Sequence, residues 1–321
     1  MVQTYRLENG RVAKASADAA QIFCYVQPTD AERTKLVDED QIDDHNLASA
    51  LDRNELPRAE FDTNHLVVIF RTPQHYVAGD NFQFRINSIG LFLFQDRLIV
   101  IMQEDTPLFE GRLFQQKDPI PDLPSVLLRI LSSCVTHFFA HLEVINDIAS
   151  QLEPKLTRSI ENKSLMQMFL IEKSLVYYVN AISANGRAIL RLKATVRNRA
   201  LAGLPAEVLE DIDDLAIDNA QCLEQAKVYG GVFNGLMDTS EYILNNRMST
   251  LMKQLTVLNV VFLPLNLIAG IGGMSEFTAM VRFIRVPAWA SYILLVTAMG
   301  CIGFLTYAIL RLVERRASNS Q

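Results

Sequence analysis

Charged and apolar residues are mixed along most of this chain, as in a globular protein, up to about Met252. Beyond that point the charge stops twice: no charged residue occurs from Leu255 to Ile271, and none from Val286 to Leu310. About 20 apolar residues of helix cross a hydrocarbon core. The two runs therefore predict transmembrane helices at about 253–273 and about 286–311. A pair of buried helices in a soluble core is the competing explanation, and uncharged runs of this length are rare there.

The pattern before the membrane runs predicts two further regions. Short apolar stretches at Ile22–Val26, Leu66–Phe70, Ile89–Phe94 and Leu98–Met102 read as strands of a mixed α/β domain over 21–116. The last two, separated by Gln95-Asp96-Arg97, form a strand–turn–strand pattern and predict a β-hairpin. The acidic stretch from Asp38 to Asp44 reads as a solvated helix start or loop, since charge runs usually face water. Pro119, Pro121 and Pro124 mark a boundary. Helical periodicity then covers 125–160 and 164–198, with a break at Glu161-Asn162-Lys163 that folds the two into an antiparallel hairpin.

A third helix starts near Leu204-Pro205-Ala206-Glu207, where proline and acids suit an N-terminus. Gly230-Gly231 weakens it without ending it, so it is expected to run on into the first membrane span. From about Ala206 to about Ile271 such a rod is on the order of 100 Å long at 1.5 Å per residue. A rod of that length calls for bundling with copies of itself. The expected organisation is residues 1–124, 125–252 and 253–321.

Composition agrees with a mostly soluble body carrying a small membrane segment: of 321 residues, 50% are hydrophobic and 21% charged. The chain's first residues have no apolar signal core, and Arg247, Lys253, Arg311, Arg315 and Arg316 outside the spans outnumber Arg282 and Arg285 between them. The positive-inside rule then puts both termini in the cytoplasm. Cys24, Cys134, Cys222 and Cys301 form no C-x-x-C pair, which suits a reducing compartment. A net charge of −6 and the absence of a basic stripe argue against nucleic acid as a partner.

Catalytic motifs are missing from the sequence, so no enzyme is expected. His65 and His75 read as structural. Cys134, His137 and His141 recur at i, i+3 and i+7, a spacing that imitates zinc ligands; with Phe138 and Phe139 beside them and no fourth ligand, they read as core. The acids Glu207, Glu210, Asp211, Asp213, Asp214 and Asp218 head the third helix, where the macrodipole favours them.

The first span is not uniformly greasy. Asn259, Asn266, Gly270 and Gly273 recur at steps of seven, four and three, and so share one face; Met252, Leu255 and Leu263 extend it. Intramembrane polar side chains usually face a bundle interior or a water-filled cavity. Two readings fit: a pore wall, or interhelical amide bonds in a packed bundle. Pro264 deprives the Val260 carbonyl of its donor, leaving either a kink or a polar patch.

The stretch Leu263-Pro264-Leu265-Asn266-Leu267-Ile268-Ala269-Gly270-Ile271-Gly272-Gly273-Met274 resembles the CorA family of divalent-cation channels, and the likeness extends ungapped from about Asp211 to Ser275. Within the family the chain resembles the branch lacking the Gly-Met-Asn loop motif, the CmaX-like proteins. The resemblance implies an α+β membrane protein with a cytoplasmic α/β domain, a long helical stalk and two C-terminal transmembrane helices. It implies a homopentamer in the bacterial inner membrane, in contact with lipid. It implies passage of Mg²⁺ or a transition-metal ion such as Zn²⁺, Co²⁺ or Ni²⁺.

By position, Met252 and Leu255 correspond to hydrophobic constrictions of the pore, Asn266 to a polar ring and Gly270 to a ring of carbonyls. Asp214 corresponds to an acid of a regulatory Mg²⁺ site between subunits. The selectivity loop is Gly273-Met274-Ser275-Glu276, with Ser275 where the family has Asn. A serine ring is shorter and wider, with weaker acceptors for the water shell that Mg²⁺ gives up reluctantly. Glu276 is either a cation-gathering ring or an ordinary interfacial acid. The competing class is a non-conducting membrane scaffold or regulatory sensor.

Overall fold

The computed structural model describes residues 1–62, 64–74, 84–106, 108–109, 112–115, 119–158, 162–198, 206–275, 279 and 287–318. His75, Glu276, Arg282 and Arg285 lie outside the described residues. Two compact units divide the chain, Met1–Thr239 and Ser240–Gln321.

The first unit is built on one seven-stranded sheet. Its strands are β1 (Val2–Glu8), β2 (Arg11–Lys14), β3 (Ile22–Val26), β4 (Arg58–Phe61), β5 (Leu66–Pro73), β6 (Ile86–Leu93) and β7 (Leu98–Met102), in the order β2-β1-β3-β7-β6-β5-β4. Among the described residues only β3 and β7 pair in parallel, Ile22 opposite Leu98, and the other pairings are antiparallel. The expected hairpin is β6–β7, closed by Phe94 N–H donating to the Arg97 carbonyl at 2.9 Å.

The polar N-terminal hairpin β1–β2 was not anticipated. Its turn, Asn9-Gly10, has φ of 51° and 74° at its two central residues, a geometry that asparagine and glycine accept.

Strands buried on both faces explain the unbroken apolar runs. Val67, Ile69, Ile99 and Ile101 point to the face covered by α1 (Asp30–Asp38) and α2 (Asp44–Leu51), against Leu36, Leu47 and Ala50. Val68, Phe70, Leu91 and Val100 point to the opposite face, covered by α4 (Leu123–Arg158), α5 (Asn162–Asn198) and the first part of α6 (Ala206–Gly272). A four-residue helix, α3 (Arg112–Gln115), precedes α4. α2 approaches β6 so closely that a Cβ on Gly90 would lie 2.4 Å from Ala50 Cβ.

Three local expectations shift. α4 begins at Leu123, inside the proline-rich boundary: Asp122 Oδ1 accepts from Ser125 N–H at 2.9 Å, and Pro124 sits in the first turn, where a helix needs no N–H from it. Asn162 and Lys163 belong to α5 and not to the break before it. The acidic stretch is only partly solvated, because Asp40 pairs with Arg97 at 2.9 Å and Asp43 caps α2 through His45 N–H at 2.8 Å. Burial raises the Asp40 carboxyl above its ordinary value, against the opposing pull of Arg97.

By length and composition, three described helices could cross a membrane: α4, α6 and α7 (Ala288–Ser318). Half of the apolar window of α4 is buried within the first unit, and it packs there against the sheet. The apolar windows of α6 and α7 have no buried residue.

Candidate functional site

The second unit contains the end of α6 and all of α7, and its packing sorts the residues of α6 by face. The partly covered positions are Val257, Val261, Pro264, Leu265, Ile268 and Gly272, a stripe of three- and four-residue steps. α7 covers this stripe. A Cβ on Gly272 would lie 2.8 Å from Leu295 Cδ2, and one on Gly303 of α7 would lie 3.4 Å from Leu265 Cδ1. Small residues at these two crossings admit the leucines, as close helix approach in lipid requires.

At 3.6 residues per turn, the face predicted from the sequence lies about half a turn away from that stripe. Met252, Leu255, Asn259, Leu263, Asn266, Gly270, Gly273, Met274 and Ser275 are all exposed in the protomer, Met252 by 64% and Leu263 by 72%. Two asparagines therefore stand on an otherwise apolar helix surface that its own second helix leaves uncovered. Pro264 points the other way, within the stripe that meets α7, and the helix continues through it to Gly272. The polar positions and the proline thus occupy opposite sides.

α6 closes tightly. Gly273 N–H donates to the Ala269 carbonyl at 3.0 Å and Met274 N–H to the Ile271 carbonyl at 3.2 Å. The last four carbonyls of a helix lack donors from the helix itself, and in α6 Gly270 is among them. The uncovered amide oxygens of Asn259 and Asn266 and the Gly270 carbonyl are hard oxygen acceptors, which suit Mg²⁺-like cations and their water shells.

Asp214 lies in the first unit, also on α6. It is exposed, as are Asp211 and Asp218 one turn to either side. Asp213 instead pairs with Lys193 of α5. No group of three or more metal-ligating side chains occurs among the described residues. Within the protomer, Asp211, Asp214 and Asp218 form an exposed acidic row along one side of α6.

The sequence cluster on α4 is used for packing. His141 Nδ1 lies 2.6 Å from the hydroxyl of Tyr178, which is fully buried on α5. Cys134 is buried and its thiol is pushed up to about 11, which keeps it protonated near neutral pH. Sequence reasoning missed a pair of buried amides. Asn185 bonds the Arg71 N–H and carbonyl at 2.9 and 2.8 Å, and Asn219 of α6 donates to the Ile182 carbonyl of α5 at 3.0 Å. Nothing local marks either asparagine, because each bonds backbone more than 35 positions away.

A family model described as CorA-like Mg2+ transporter protein matches residues 19–312. A curated relative, the cobalt/magnesium transport protein CorA of Methanocaldococcus jannaschii, is 26% identical over 261 residues, 79% of each chain. The complete structure of the CorA magnesium transporter from the same organism superposes with a TM-score of 0.72 at 22% identity, covering 97% of this chain and 96% of the other. The full-length CmaX protein gives 0.64 at 14% identity, with 97% of each chain covered. These two likenesses show the fold: a soluble α/β body, a long helix and C-terminal apolar helices.

Proposed function

This chain belongs to the CorA-like Mg2+ transporter family, and on that premise we propose that it is a homopentameric channel passing divalent cations through a pore lined by α6. The family is one of transporters and not of enzymes, and the chain is a divalent-cation transporter of that family. Mg²⁺ heads the proposed cargo, with Co²⁺, Ni²⁺ and Zn²⁺ behind it. The membrane helices are proposed to sit in the inner membrane with both termini in the cytoplasm, as the excess of Arg and Lys outside the spans supports.

One observation carries the reading: the Asn259, Asn266 and Gly270 face of α6 is the side that α7 leaves bare. Repeated around an axis, that face forms the wall and α7 the lipid-facing jacket. Met252, Leu255 and Leu263 narrow it with apolar rings, Asn259 and Asn266 add amides, and Gly270 adds carbonyls. Gly273, Met274, Ser275 and Glu276 form the mouth.

A second reading has one feature in its favour. Ser275 stands where the resemblance implies asparagine, which fits the branch that lacks Gly-Met-Asn, and a weaker mouth suits a non-conducting scaffold or sensor. Divalent-cation flux into proteoliposomes decides between them. We expect flux well above that of empty vesicles, reduced about tenfold or more by Asn266→Leu, which removes an oxygen ring from the wall. Ser275→Asn is expected to raise the Mg²⁺ share of that flux. Flat traces for every divalent ion, in both the native protein and Ser275→Asn, would establish the scaffold.

A further inference from the structure

The first unit contains a cleft of about 490 Å³ between the end of β5, the start of β6, the turn after α2 and one face of α5. Small-molecule sites occupy roughly 300–1,000 Å³. Arg53, Arg71, Arg85 and Lys173 all line it, and no carboxylate is among its described lining residues. That is a local excess of positive charge in a chain whose net charge is −6.

The four cations are not equally engaged. Arg53 is already paired, its Nη2 lying 2.7 Å from Glu104 and its Nε 2.9 Å from Gln103. The Arg71 guanidinium is fixed by three neutral oxygens: the Glu55 carbonyl at 3.1 Å, the Asn54 carbonyl at 2.9 Å and Asn180 Oδ1 at 3.3 Å. It forms no ion pair with a described residue, and two of its five N–H donors remain over. Lys173, exposed on α5, has no ion pair within the described residues.

Burial works against the charge of this guanidinium while Asp52 and Glu55 nearby support it, and, held rigidly by neutral oxygens, it loses little freedom when an anion arrives. With Lys173 lining the same cleft, this guanidinium matches a multiply charged anion, and phosphate oxygens suit the planar fork of arginine. The volume exceeds what inorganic phosphate fills. Tyr177, one turn beyond Lys173 and 54% exposed, offers a ring face to the remainder of the ligand.

We propose that this cleft binds a phosphate-bearing anion of nucleotide size, with its phosphates on Arg71 and Lys173 and its base against Tyr177. The site requires no step of the transport reading, so either can fail without the other.

Isothermal titration of the full chain in detergent with ATP, pyrophosphate and adenosine tests it. ATP and pyrophosphate are expected to bind, more weakly as salt rises, and adenosine is not. Lys173→Glu is expected to weaken ATP binding about tenfold or more, while the melting temperature of the unliganded protein stays unchanged. Lys173→Ala serves if the charge reversal lowers that temperature. Absence of ATP binding, adenosine binding as tightly as ATP, or undiminished affinity in the Lys173 variant would each overturn the proposal.

Discussion

His65 is enclosed at the start of β5, stacked on Phe94 with ring centroids 4.5 Å apart. Its Nδ1 lies 2.7 Å from Asn64 Oδ1, and its Nε2 has no hydrogen-bond partner among the described residues. Burial holds the imidazole below its ordinary value of 6.5, against a smaller opposing pull from Asp62. The folded protein therefore prefers the neutral ring, and the unfolded chain binds the proton more readily. That contribution to stability is complete above about pH 6.5 and is lost as pH falls through the lower, folded value. His65→Phe keeps the stack and removes the titration. Between about pH 7 and about pH 5 the melting temperature of the native protein is expected to fall further than that of the variant; equal falls would mean the ring stays neutral throughout. Within the membrane, where a bare amide is costly, the same logic of solvent makes Asn259 and Asn266 informative.

At the scale of elements, α5 completes the sheet where β4 runs out. β4 pairs with β5 only as far as Ile69. Two residues on, the N–H and carbonyl of Arg71 are taken by Asn185, which is fully buried. One side chain thus substitutes for a strand and ties the helical hairpin to the sheet. Asn185→Ala leaves a buried donor and a buried acceptor unpaired, at about 1–3 kcal/mol each, and a fall of several degrees in melting temperature of the full chain is the expected result. A fall of less than a degree would mean that water replaces the amide. The helices themselves follow from periodicity in the sequence, as does the β6–β7 hairpin, whose apolar runs flank an obvious turn. β1–β2 carried a usable signal too, Asn9-Gly10, but its strands are short of apolar residues and only partly buried.

For the whole molecule, the second unit is incomplete as a protomer. Leu294 and Phe304 of α7 are 72% and 74% exposed, and Asn259 and Asn266 of α6 are exposed as well. Lipid satisfies apolar surface, but it cannot satisfy the asparagine face, so copies of the chain are the expected cover. Native mass spectrometry in gentle detergent should give five copies. A monomer would remove the pore along with the pentamer. If Asp214 helps hold Mg²⁺ between those copies, Mg²⁺ protects the assembly from protease and Asp214→Ala abolishes that protection; unchanged protection would confine Asp214 to the role of an N-terminal acid on α6.

Some of this could be read one residue after another. Two runs without charge, a row of amides and glycines at helical spacing, and a turn between apolar strands are local patterns, and local backbone geometry turns each into an element or a face. Other features depend on contacts distant in the chain. The parallel pairing of β3 with β7, the sheet edge met by Asn185, and the meeting of Arg53, Arg71, Arg85 and Lys173 around one cleft all join segments tens of residues apart. Spacing marks the polar side of α6, but it cannot say which side a partner covers. That is decided by Leu295 and Gly303 of α7 packing against Gly272 and Leu265, because burial belongs to the pair of helices and not to either alone.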